Sequence, residues 1–180
     1  MEALDCIRTR RSCRAFTDQL PPREVLERIC QAGTYAPTGH GKQSPLIVAI
    51  TNRTVRDRLS ALNAQIWSTL SANRPAEGFD PFYGAPVVLW VLADERVTTH
   101  MYDGCSVVTT LLDAAHACGL ASCWVHRAKE ESESPEGRAL LRELGVDDHY
   151  TGVDHVILGY PAKEIPPAMP RKADYVRWVE

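Results

Sequence analysis

"PVVLWVLA" (Pro86–Ala93) is the stretch on which the fold turns. It carries no charge, and its valines, leucines and tryptophan follow one another without the polar alternation of a half-exposed strand. Such a run reads as a β-strand covered on both faces. "PLIVAIT" (Pro45–Thr51) has the same character. "ASCWVH" (121–126) reads as a short strand and "VDHVILGY" (153–160) as a last core strand.

Helical patterns fill the spaces between these runs. Residues 2–11 and 22–34 read as helices; in the second, Val25, Leu26, Ile29, Cys30 and Gly33 recur at helical spacing, and Pro21-Pro22 suits its start. Residues 53–72 are helix-like and lead into a polar loop, "ANRPAEGFDPFYGA". A longer helix is expected over roughly 98–118. From Val107 to Ala117 it is apolar nearly all round and therefore buried, with Gly119 placed to cap it. "SPEGRALLRELGV" (134–146) reads as a short helix with Pro135 near its start. The expectation is one α/β-type domain over residues 1–180, a small buried sheet with helices on both sides. It ends in a proline-rich arm (about 161–180) whose "YVRWV" is strand-like. That arm has too little core to fold alone, so it is expected to lie on its own domain or on a partner subunit.

Composition narrows the function. The 180 residues suffice for one sizeable core, and a net charge of -3 gives no reason to expect nucleic acid or an anionic membrane as partner. No apolar run reaches the length of a membrane span, and "MEALDCIRTRR" lacks a signal-peptide core, so a cytoplasmic protein is expected. The six cysteines are scattered among apolar residues and fit reduced packing thiols. No metal site is expected: there is no C-x-x-C pair, and His116 and Cys118 would project roughly 200° apart on a helix.

Two motifs invite a phosphate. "YAPTGHGKQSPL" (Tyr35–Leu46) looks like a P-loop, but Ala36 stands at the first glycine position and Gln43 at the hydroxyl position. Pro37 interrupts the loop, and the strand follows it instead of preceding it. "RTRRSCRAF" sets Arg8, Arg10, Arg11 and Arg14 close together in an acidic chain. These arginines read either as a solvated helix end or, with the Ser12 hydroxyl, as a small anion site that grips one phosphate. A second basic spot, Arg171 and Lys172, reads alone as surface charge. A Cys/His hydrolase is disfavoured, because Cys123 and His126 would point to opposite faces of one strand.

Taken together, "RRSCRAF", "YAPTGHGKQSP", "DPFYGAPVVLWVLAD", "AAHACGLASCWVHRAKE" and "LGYPAKEIPPAMPRK" resemble the FMN-dependent nitroreductase family in order and spacing over nearly the whole chain. The resemblance implies an α+β fold with a small, mostly antiparallel sheet, and a homodimer with two FMN sites at its interface. It implies that Arg10, Arg11 and Ser12 bind the flavin phosphate and ribityl chain, joined by Arg171 and Lys172. Arg14 would lie near the N1–C2 edge of the ring, where a fixed cation favours reduction. Pro37, Thr38 and Gly39 would reach the ring from the other subunit. Asn63 matches a further polar contact to the pyrimidine edge. Trp124, Val125, His126 and Arg127 would present backbone groups to the ring, and Gly159 would sit beside the cofactor where a side chain would intrude. The family most often has asparagine where this chain has Gly41.

The implied activity is an NAD(P)H-dependent, ping-pong reduction of nitroaromatics, quinones or similar small electrophiles, with His126 or solvent as proton source. No ribose-reading motif distinguishes NADH from NADPH. The alternative is a flavin-binding protein that senses or stores cofactor without turnover.

Overall fold

A computed structural model describes residues 1–70, 72 and 76–180. Four strands, β1 (Pro45–Ile50), β2 (Val87–Asp94), β3 (Ala121–Val125) and β4 (Tyr150–Gly159), form one sheet in the order β1-β2-β4-β3. Every pairing is antiparallel. The helices are α1 (Ala3–Thr9), α2 (Arg23–Gly33), α3 (Arg53–Leu70), α4 (His100–Ala117), α5 (Ala128–Glu133) and α6 (Pro135–Glu143). The α+β architecture with an antiparallel sheet is as expected.

Strand β2 explains why its sequence is apolar at every position. Its side chains alternate between two cores. Val88, Trp90 and Leu92 pack with Ile50, Leu59, Phe82 and Leu141 on one face. Val87, Leu89 and Val91 pack with Ile29, Val108 and Leu111 on the other. Helix α4 is sandwiched into that second core through Val107, Val108, Leu111, Leu112 and Ala115. Its end is a Schellman arrangement: Leu120 N–H donates to Ala115 O at 2.9 Å, Gly119 N–H donates to His116 O at 3.0 Å, and Gly119 takes φ 78°.

Three expectations need correction. Helix α5 is an element of its own; "AKEESE" lacks an apolar stripe, and only Ala128, Glu131 and Ser132 in it are buried. "YVRWV" is not a strand. Trp178 and Val179 are 84% and 92% exposed, and among the described residues no strand pairs with them. The first helix is shorter than read, and α3 stops at Leu70; residue 71 of the helical reading and residues 73–75 of the polar loop lie outside the described residues.

Half-buried carboxylates staple the loops to this frame. Asp80 accepts from Ser60 Oγ and from the Phe82 and Gly84 amides, and pairs with Arg56. Burial alone would raise its carboxyl, but these hydrogen bonds outweigh burial and lower it. Asp94 is held down to about 2, chiefly by its hydrogen bonds from Arg96. Carboxylates depressed in the folded state stabilise it above their unfolded pKa of roughly 3.9, and that contribution is lost as pH falls through the folded values. Thermal melts should therefore fall in Tm from about pH 4 down toward pH 2, with a shallower fall in Asp80→Asn.

Candidate functional site

The arginine cluster is fixed by a short chain pairing. Residues after α1 run beside β3: Ser12 forms a parallel bridge with Ser122, and Cys13 N–H donates to Ser122 O at 2.9 Å. Arg10 and Arg11 thereby reach a cleft of about 540 Å³ whose other walls include His116, Ser122, Pro161 and Ile165. Arg10 Nε lies 3.5 Å from Asp113 Oδ1. Arg10 Nη1 and Ser122 Oγ are buried with no hydrogen-bond partner among the described residues. Unpaired buried donors are costly, and both residues line the cleft, where an anion would supply acceptors. Arg11 is partly spent on its own helix, donating from Nη1 to Arg8 O and Arg10 O at 2.7 and 2.6 Å.

Four residues along, the same strand forms the wall of a second pocket of about 260 Å³. It is lined by Arg14, Asn63, Trp67, Tyr83, Trp124, Val125, His126 and Arg127. Ser122 and His126 are thus joined by one extended segment of roughly 13 Å, with an anion cleft at one end and an aromatic pocket at the other. Arg127 takes φ 91°, unusual for a side chain of its size, and pairs with Glu130 at 2.9 Å.

A layer of buried polar groups holds this turn. Asn63 Nδ2 donates to His126 O at 2.8 Å and to Glu131 Oε1 at 2.6 Å. Its amide hydrogens are therefore committed to the protein, not to a ligand edge. Glu131 Oε2 lies 2.9 Å from His155 Nε2, both residues fully buried, although the contact is out of line for a hydrogen bond. Burial raises the Glu131 carboxyl, opposed by His155 and Asn63. Asp154 accepts from Trp124 Nε1 at 2.6 Å and from His126 Nδ1 at 2.7 Å; burial raises its carboxyl too, against the pull of these partners.

The Pro37–Gly39 loop is pinned elsewhere. Asp103 of α4 accepts from Gly39 N–H at 2.9 Å, from Ser44 Oγ at 2.6 Å and from Thr99 Oγ1 at 3.1 Å. Burial would raise the Asp103 carboxyl; these three donors outweigh it and lower it. Thr38 Oγ1 accepts from Gln43 N–H at 3.1 Å, and a Cβ on Gly39 would overlap Thr99. Gly41 has φ 64° and open space around it, a left-handed position that glycine and asparagine both tolerate. Gly41→Asn should therefore leave Tm nearly unchanged by calorimetry, whereas Gly41→Val should cost about 1–2 kcal/mol.

Within one chain, then, Arg10 and Arg11 share a cleft beside Ser12's pairing partner, and Arg14, Asn63, Trp124, Val125, His126 and Arg127 share a pocket. Pro37, Thr38 and Gly39 line neither. Arg171 and Lys172 are exposed on the arm, beyond Ala168, where the arm's share of the cleft wall ends; Lys172 Nζ instead lies 5.4 Å from the Tyr175 ring centre. At Gly159 an added Cβ would meet Pro86 at 2.7 Å and Phe16 at 3.2 Å, so internal packing alone already requires the glycine. Asp103, Ser122, Glu131, Asp154 and His155 were not singled out from the sequence. Two of them carried a signal, because Asp154-His155 breaks an otherwise apolar strand. Among the described residues no group of three metal-ligating side chains converges.

A family model described as "Nitroreductase family" matches residues 7–160. A nitroreductase of Bacteroides fragilis, solved with bound FMN, superposes with a TM-score of 0.91 at 27% identity, covering 100% of both chains. One of Desulfitobacterium hafniense, also with bound FMN, has a TM-score of 0.88 at 24% identity over 100% of both chains. A protein of Archaeoglobus fulgidus named "Putative NADH dehydrogenase/NAD(P)H nitroreductase" is 27% identical over 168 residues, 91% of this chain and 87% of the relative.

Proposed function

Because this chain belongs to the nitroreductase family, we propose that it is an FMN-dependent oxidoreductase that uses NADH or NADPH to reduce nitroaromatics, quinones or similar small electrophiles. The observation that carries the reading is β3, which joins an arginine cleft containing unpaired buried donors to an aromatic pocket. The two-electron chemistry, hydride taken from the nicotinamide and then passed to the acceptor in ping-pong order, is what FMN supplies when bound.

The chain's own residues bind and orient. Arg10, with Arg11 and Ser122, holds the phosphate end, and the bridge from Ser12 keeps these groups beside β3. Arg14 places a fixed positive charge at the pocket, which favours a more electron-rich ring. Asn63 works from behind, fixing His126 O so that the Val125–Arg127 backbone keeps its shape. Trp124 forms part of the wall, its indole held by Asp154.

The assembly we propose is a homodimer acting in the cytoplasm. Leu4, Ile7, Tyr35, Tyr102 and Trp178 are each more than half exposed, the kind of apolar surface a second copy covers. The partner would bring Pro37–Gly39 to the ring and Arg171 or Lys172 to the phosphate. No helix among the described residues is long and apolar enough to cross a membrane.

Anaerobic addition of NADH and of NADPH to FMN-loaded protein tests the activity. Bleaching of the flavin absorbance by at least one, and its return on adding a quinone, is expected. An FMN-loaded protein that neither nicotinamide bleaches would be a flavin-binding protein without turnover.

A further inference from the structure

His126 and Asp154 are an unequal pair. The imidazole exposes 76% of its side chain and the carboxylate 4%. Both carboxylate oxygens lie close to Nδ1, at 2.7 and 2.9 Å, and the second also accepts from Trp124 Nε1. A carboxylate withdrawn from water is costly even when paired. A surface imidazole does not need such an anchor to be stable. The main chain of the same residue is held as well, through Asn63 Nδ2 to His126 O.

This geometry fixes which ring nitrogen does what. Nδ1 faces an acceptor-only carboxylate and must carry hydrogen. Nε2 has no hydrogen-bond partner among the described residues and lies on the free edge of a ring that lines the aromatic pocket. Of the neighbouring charges, Arg14 lines the same pocket, Arg127 is paired with Glu130, and Glu131 faces His155 in the interior.

We propose that Asp154 is a positioning residue that holds His126 with Nε2 as proton donor to the electron acceptor, an inference that rests on the reductase reading above. Two-electron reduction of a quinone adds one hydride, originating from NAD(P)H, and one proton. The Nε2–H bond of the protonated ring breaks as an O–H bond forms on the acceptor oxygen, giving the hydroquinone and a neutral imidazole. The exposed ring then regains a proton from water. Throughout, Nδ1–H stays on Asp154, so the ring does not turn between cycles.

The test has two arms. Long-range imidazole 15N spectra of the protein without added flavin, at a pH where the ring is neutral, should show His126 protonated at Nδ1 in the wild type. In Asp154→Asn it should move toward the Nε2–H form. An unmoved tautomer overturns the positioning role. In stopped-flow experiments with 1,4-benzoquinone, the acceptor half-reaction should slow about 100-fold in His126→Ala, well beyond any slowing of the NAD(P)H half-reaction. Added imidazole should restore much of that loss. His126→Ala changes an exposed side chain and keeps the question answerable should Asp154→Asn not fold. Equal slowing of both halves, or a wild-type acceptor rate, overturns the donor role. A wild-type protein that neither nicotinamide reduces overturns the reductase reading and this proposal with it, and only that result implicates the former.

Discussion

Replacing Arg10 by alanine is expected to weaken FMN binding by about 10- to 150-fold and to leave riboflavin binding nearly unchanged. Arg10 Nη1 is buried without a partner, and a charge-assisted hydrogen bond is worth about 1.5–3 kcal/mol, which converts to that range at 1.4 kcal/mol per tenfold. Riboflavin lacks the phosphate, so the difference between the two ligands isolates this one contact from any general loosening of the cleft. Fluorescence titration with both flavins reads it. Equal losses for both would mean that Arg10 supports the fold through Asp113 and does not hold the phosphate.

The largest effect on stability is expected at Gly152. A Cβ there would overlap the Ala128 carbonyl group, which belongs to backbone and cannot rotate away. Gly152→Ala must push α5 off β4, and we expect a loss of about 4 kcal/mol or more in urea denaturation. The functional consequence follows through named contacts. Helix α5 carries Glu131, which holds Asn63, which holds His126 O, so FMN affinity should fall together with stability. Gly145→Ala is the control: φ is 77° but nothing crowds the added Cβ, so about 1–2 kcal/mol is expected, with the site intact.

How much of this was legible depends on how locally each feature is encoded. Strands β1 and β2 could be read directly because they lie between two cores, and helix α4 because its long apolar face packs into one of them. Strand direction could not be read from those runs; a strand buried on both faces looks alike whether its neighbours run parallel or antiparallel. The antiparallel expectation came from the family resemblance. Helix α5 escaped because six residues with three buried positions make no periodic signal. "YVRWV" misled for the opposite reason: it has β-propensity, and a strand also needs a neighbour to pair with.

The site divides along the same line. A run of arginines around Ser12 is visible in any sequence, but not that Arg10 and Arg11 line one cleft while Arg14 lines the other pocket. The supporting acids are not visible in this way. Asp103, Glu131 and Asp154 matter because distant donors converge on them, Gly39 and Ser44 on the first, Asn63 on the second, Trp124 and His126 on the third. Asn63 lines the pocket with its amide hydrogens spent on the turn behind it, an arrangement no local pattern in the sequence encodes.

The central claim is that β3 and the arginine cleft hold FMN, and mass analysis of whatever flavin the purified protein releases on denaturation tests it most directly. The purified protein is expected to be yellow and to release FMN at one per chain. A colourless protein that takes up no added FMN would contradict it.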